Sequence, residues 1–286
     1  MVDTPVILVG TDGSDPAHEA MQWAGTWAKA HGGKLVLLTV ADLTPVSGAA
    51  ALFAEAEKEA TELNAHEMEY FATLSIPVPV EPRIRSGVPA AIFEEESHTA
   101  DLVVVGTHKG GLFKDAFFGT RGVRIASASD APVAVIPVLP AGTPRQGVAV
   151  GVSFDGSSQD AITFAAEEAL RLNETLTLVS SWAMPVAPGY DTTWSYEVSQ
   201  SLQDDTEQAL QEVKKRLIEH YPALKVDTLV KEGGPVHTLA DAGKTARLTV
   251  VGNHSRNALG RLLLGSVSHG LLNNITSPVV VVRLKK

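Results

Sequence analysis

Short runs of Val, Leu and Ile alternate along this chain with stretches whose apolar residues recur every three or four positions. In the first half the runs are Val6–Val9, Leu35–Val40, Val78–Ile84, Leu102–Val105 and Val133–Ile136. In the second they are Val148–Val152, Leu176–Val179, Val226–Val230, Leu248–Val251 and Val279–Val282. Most lack a polar residue at every second position, as expected of strands buried on both faces of a parallel sheet. The stretches between them read as helices. Ala17, Ala20, Ala24, Trp27 and Ala28 share one helical face, with Pro16 just inside the start and His31-Gly32-Gly33 as the stop. Ala56, Ala60, Leu63, Tyr70 and Leu74 give a second helix, interrupted by Glu67. Ile162, Ala165, Ala169 and Leu172, then Val198, Leu202, Ala209, Val213 and Leu217, give their counterparts in the second half.

Strand–helix alternation implies βαβ units with right-handed crossovers. The expected architecture is α/β, with two doubly wound domains and helices on both faces of each parallel sheet. Residues 1–139 form the first domain, 140–147 a Pro- and Gly-bearing linker, and 148–286 the second.

The halves also repeat in detail. Val6-Ile7-Leu8-Val9-Gly10-Thr11-Asp12-Gly13-Ser14 is echoed by Val148 to Ser157, which carries Asp155-Gly156-Ser157. Gly106 precedes Gly119-Thr120 by 13 residues, and Gly252 precedes Gly265-Ser266 by the same 13. Pro132 and Pro278 follow after another 13 and open the last apolar run of each half. Such matched spacing marks an internal repeat.

In an open parallel sheet, ligands gather beyond the carboxyl ends of the strands. Asp12 stands there after the first strand and Gly106 after the fourth. A carboxylate at that point can accept from a ribose hydroxyl or an adenine amine, or simply turn the chain and cap the next helix. Gly119-Thr120 leads into a helix expected over residues 121–129, and Gly265-Ser266 into its counterpart. Glycine backbone and a helix N-terminus together suit an anion, although a flexible loop and a cap would read the same way.

These residues together resemble the universal stress protein family, and the chain resembles a tandem member over nearly its whole length. The resemblance implies five-stranded sheets of order 3-2-1-4-5, which brings the first and fourth strands of each half to one crevice. It implies an adenine nucleotide there, ATP with or without Mg, the base held partly at the end of the second strand and the triphosphate on the glycine loop. Carried over by position, the site residues are Asp12, Val40, Gly106, Lys109, Gly119 and Thr120, then Asp155, Ser181, Gly252, Ser255, Gly265 and Ser266. Lys109 and Ser255 stand where the family signature has its second glycine. If that position needs a left-handed backbone, a side chain there costs roughly 1–2 kcal/mol, and Lys109 offers a cation to a phosphate in return.

The resemblance also implies a stress-response sensor or regulator with protein partners still to be identified. The alternative is a nucleotide-free interaction module of the same fold. An enzyme ranks third, because no base or nucleophile stands at a recognisable spacing. Gly243-Lys244-Thr245 imitates the end of a phosphate-binding loop, but Thr238 replaces the required glycine and the strand–helix order is reversed. The last strands of the two halves are expected to pair within the chain as a pseudo-dimer, which would protect sheet edges; association of whole chains into a homodimer is a further expectation.

Composition narrows the classes. The formal net charge of −10 argues against broad binding to nucleic acid or anionic membranes. The absence of cysteine excludes disulfides and thiolate-held zinc. No apolar stretch approaches a membrane span and no leader pattern opens the chain, so the cytoplasm is the expected compartment.

Overall fold

The structure is a computed structural model that describes residues 4–44, 50–107, 117–140, 142, 144–184, 195–253 and 264–283. The chain forms two compact units, the first carried by residues up to Leu139 and the second beginning at Pro140.

The first unit runs β1 (Val6–Gly10), α1 (Asp15–His31), β2 (Lys34–Asp42), α2 (Ala50–Thr73), β3 (Val80–Gly87), α3 (Pro89–Ser97), β4 (Leu102–Thr107), α4 (Phe117–Ala128) and β5 (Val133–Pro137). Its strands lie in the order β3-β2-β1-β4-β5, every neighbouring pair parallel. The chain moves outward from β1 through β2 to β3, then returns past β1 to β4. With right-handed crossovers, that reversal puts α1 and α2 on one face and α3 and α4 on the other. The switch point therefore falls between β1 and β4. Ile7, Val9, Leu35, Leu37, Leu102, Val103 and Val104 are fully buried, as the uninterrupted apolar runs require.

The second unit repeats the scheme: β6 (Val148–Gly151), α5 (Gln159–Leu172), β7 (Leu176–Trp182), α6 (Ser195–His220), β8 (Val226–Glu232), α7 (Pro235–Gly243), β9 (Leu248–Asn253), α8 (Ser266–Asn273) and β10 (Val279–Arg283). Its order is β8-β7-β6-β9-β10, again parallel throughout. Gly243 ends α7 and leads toward β9, so the Gly-Lys-Thr segment is a helix stop. Residues of the expected linker are tied to this unit. Arg145 donates to the carbonyls of Gly243 and Ala246 at 2.8 and 3.3 Å, and the Gly147 N–H donates to Glu174.

Local signals explain the helix ends. Ser14 caps α1, its Oγ accepting from the Ala17 N–H at 3.4 Å, with Pro16 in the first turn. Gly32 closes the helix at φ 65°, and Asn173 closes α5 in the same left-handed conformation at φ 52°. One helix start differs from expectation, and another differs between the two units. The helix placed at residues 121–129 begins at Phe117, so Gly119 and Thr120 lie within its first turn rather than before it. An isolated glycine costs a helix only about 1 kcal/mol, so Gly119 does not by itself set the boundary. In the second unit Gly265 does precede its helix, as the N-cap of α8. The other difference is α5, which starts at Gln159, about a turn later than the equivalent point of α1.

Candidate functional site: two crevices of different size

Strand register fixes which residues of the two units correspond. Gly10 pairs with Leu38 and the Thr11 N–H reaches the Leu38 carbonyl at 3.0 Å. Gly151 pairs with Val179 and the Val152 N–H reaches the Val179 carbonyl at 2.9 Å. Val152 is thus the counterpart of Thr11, and Ser153 that of Asp12. The expectation that Asp155 fills the place of Asp12 is corrected: the matching letters are displaced by two residues. Asp155 sits on an exposed turn, where its Oδ1 accepts from Ser153 Oγ at 2.7 Å and from the Ser157 N–H at 3.0 Å. It does not line the crevice, whereas Ser153 does.

In the first unit, the crevice beyond β1 and β4 is about 100 Å³ and is bordered by Asp12, Val40, Asp42, Gly106 and Phe93. Asp12 turns the chain, its Oδ1 accepting from the Ser14 N–H and Oγ at 3.2 and 2.6 Å. Phe93, on α3, is buried over Gly10, where a Cβ would lie 2.5 Å from the ring's Cζ. Gly106 passes close to the start of α1; a Cβ there would sit 2.1 Å from the Pro16 carbonyl oxygen. Asp12, Val40 and Gly106 therefore do converge.

In the second unit the corresponding crevice is about 440 Å³. Leu239 takes the place of Phe93 and meets Gly151, where a Cβ would lie 3.0 Å from Leu239 Cδ1. Ala183 takes the place of Asp42 and Ser181 that of Val40. Hydroxyls of Ser153, Ser157, Ser158, Ser180, Ser181 and Thr238 belong to bordering residues, and no carboxylate stands among the described residues of the lining. Ser158 Oγ accepts from the Ser153 N–H at 2.9 Å and donates to its carbonyl at 3.1 Å, which fixes the turn. Gly252 borders the crevice at the end of β9, with its carbonyl receiving Ser268 Oγ at 2.8 Å. Asn253 Oδ1 accepts from the Gly265 N–H at 3.3 Å and so ties the strand end to the entry of α8. Ser266 opens that helix from an exposed position outside the lining, and Val267 reaches the crevice instead.

Lys109 and Ser255 lie outside the described residues, as does the side chain of Thr120; of Gly119 the structure describes the helical backbone. Sequence reasoning missed Phe93, Leu239, Ser153, Ser158 and Thr238. Counting each unit from its own strand register, rather than from matching letters, would have found Ser153. Among the described residues no cluster of three or more His, Cys, Asp or Glu could hold a metal ion, and no helix is long and apolar enough to cross a membrane.

Two doubly wound units, each with a crevice at the β1/β4 or β6/β9 switch point, define a duplicated α/β architecture. The sequence profile of the universal stress protein family matches residues 4–137 and again 145–283. A universal stress protein of Mycolicibacterium smegmatis is 30% identical over 291 residues, covering 97% of this chain and 96% of that protein. One from Mycobacterium tuberculosis is 28% identical over 300 residues, covering 97% and 95%. In fold, the chain is similar to a universal stress protein from Archaeoglobus fulgidus, with a TM-score of 0.72 at 17% identity, covering 97% of this chain and 98% of that one. The chain belongs to the universal stress protein family and carries two copies of its domain.

Proposed function

We propose that this protein binds an adenine nucleotide, ATP, in the crevice of its second unit and acts as a stress-response sensor or regulator. The observation that carries the reading is the size and lining of that crevice. About 440 Å³ lies within the range of small-molecule sites, roughly 300–1,000 Å³. Val179, Val251 and Leu239 give an apolar wall for a base, and the serine hydroxyls give donors for phosphate or ribose oxygens. The N-terminus of α8, capped by Gly265, adds a favourable field for an anion. The donor set suits phosphate oxygens better than a bare cation, so Mg would arrive on the nucleotide, held by phosphate and water. The reading is of a binding protein, without a catalytic residue.

A specific observation favours the second reading, an interaction module without nucleotide, for the first unit alone. Its crevice is about 100 Å³, narrowed by Phe93 and bordered by the carboxylates of Asp12 and Asp42. Calorimetric titration with ATP, paired with native mass spectrometry, tests both assignments. One saturable equivalent per chain, lost on Leu239→Phe and kept on Asp12→Asn, is the expected result. No saturable binding up to millimolar ATP, or two equal sites, would overturn the proposal.

A further inference from the structure

The units also diverge on the other side of the β1–α1 and β6–α5 turns, where the first two helices of each unit face one another. Asn64 and Phe71, two of the buried positions of α2, correspond to Leu210 and Leu217, the buried positions of α6 among the described side chains. The same offset relates the starts of β3 and β8, so Val213 is the counterpart of Glu67, and Arg216 that of Tyr70. Counting from the left-handed caps Gly32 and Asn173, Gln159 is the counterpart of His18, and Phe154 that of Gly13.

In the first unit this space is filled. The His18 ring stacks on Tyr70 with centroids 3.8 Å apart and planes inclined by 17°. His18 Nε2 lies 3.1 Å from Glu67 Oε1, and the Glu67 side chain is fully buried. In the second unit the counterparts Gln159, Arg216 and Val213 carry neither ring nor carboxylate, and the rings of His220 and Tyr221, which border the space, come from the end of α6 and pack edge-on against each other. A groove of about 720 Å³ opens between α5 and α6, floored by Ile162, Val213 and Leu217. Phe154 stands at its mouth with 50% of its surface exposed. Arg216 and Glu212, one turn apart, form the rim, and neither engages a charged partner among the described residues.

We propose that this groove is a second ligand site, specific for an aromatic acid: a flat ring carrying one carboxylate or sulfonate. The first unit shows the shape the space accepts, since two stacked rings occupy it there. A ligand ring would replace the missing imidazole, lying against Phe154 and under the Arg216 guanidinium, which stacks on aromatic faces and pairs with planar acids. Arg216 and Glu212 together leave the rim near neutrality, so a monoanion is favoured over a polyphosphate. The groove shares Ser153, Phe154 and Ser158 with the crevice, yet its recognition chemistry does not depend on the nucleotide reading.

The probe is 1-anilinonaphthalene-8-sulfonate, followed by its fluorescence on the folded, full-length chain. One saturable site per chain is expected, retained at saturating ATP. Arg216→Ala should weaken it by about tenfold, the scale of one charge-assisted contact. Gln159→His with Arg216→Tyr rebuilds the two rings of the first unit and should abolish it. If that double variant does not fold, as read by circular dichroism, Phe154→Gly serves in its place and should weaken binding. Absence of saturable binding, full displacement by ATP, or affinity unchanged in these variants would overturn the proposal.

Discussion

Thr11, on the turn after β1, donates its hydroxyl to the buried carboxylate of Glu67 on α2, 56 residues further along the chain. The bond joins the turn that carries Asp12 to the helix covering the sheet. His18 approaches the other carboxylate oxygen, and Tyr70 lies over His18. Burial, then the nearby Glu19, Glu67 and Asp15, holds the Tyr70 hydroxyl above its ordinary pKa, so it remains a neutral ring. Replacing Glu67 by Leu leaves the Thr11 hydroxyl and the His18 ring without their acceptor. We expect a loss of about 1–3 kcal/mol, the cost of stranding a buried donor, measured as a lowered urea midpoint. Thr11→Val with Glu67→Leu should recover part of it, because the counterparts of the pair in the second unit, Val152 and Val213, are both apolar.

Gly106 and Gly252 should respond unequally to the same change. A Cβ at Gly106 would fall 2.1 Å from the Pro16 carbonyl oxygen, and one at Gly252 would fall 2.9 Å from that of Ser157. Both contacts are with backbone, which cannot rotate away. Gly106→Ala should cost about 3 kcal/mol and Gly252→Ala about 1 kcal/mol, the range found for overpacked sites. Paired denaturation curves check the order; equal losses would contradict the difference in clearance.

On the proposed nucleotide reading, Phe93 is the residue that distinguishes the first crevice from the second. Phe93→Leu gives the first unit the residue that Leu239 supplies in the second. The expected outcome in native mass spectrometry is a second nucleotide per chain, weaker than the first because Asp12 and Asp42 remain. An unchanged stoichiometry would mean that the acidic border, and not the ring, keeps the nucleotide out.

Acid should loosen the second unit through Glu174. Burial alone would raise its pKa, but Arg247, bound through Nε and Nη2 at 2.9 and 2.6 Å, and the Gly147 N–H outweigh burial and hold it below the ordinary carboxylate range. A depressed folded-state pKa contributes stability that is present above the unfolded value, near 4.3, and is lost as pH falls through the folded value. The wild-type melting temperature should therefore fall more steeply below about pH 5 than that of Glu174→Gln. Parallel slopes would remove Glu174 from the account.

Much of the architecture was legible in the sequence, since strands buried on both faces leave uninterrupted Val and Leu runs and the repeat confirms each of them. Ser14, Pro16 and Gly32 likewise announced the ends of α1. The site was less legible. Asp155-Gly156-Ser157 copies Asp12-Gly13-Ser14 in letters, but backbone pairing of β6 with β7 sets the register, and pairing is invisible to local similarity. Glu67 read as a flaw in the apolar face of α2 because its partners, Thr11 and His18, arrive from distant segments. Phe93 and Leu239 gave no signal either: both are apolar residues on a short helix, and only the distance to a strand glycine distinguishes a plug from a wall.

The one-turn delay at the start of α5 has a wider meaning. A duplicated domain can drift in its side chains while its sheet order stays fixed, but a helix that begins later changes the mouth of the fold itself. Gly156, Ser157 and Ser158 are turn residues where Asp15, Pro16 and Ala17 are helix. The mouth of the second copy is thus shaped by a turn, which insertions and substitutions can remodel without disturbing the strands beneath it.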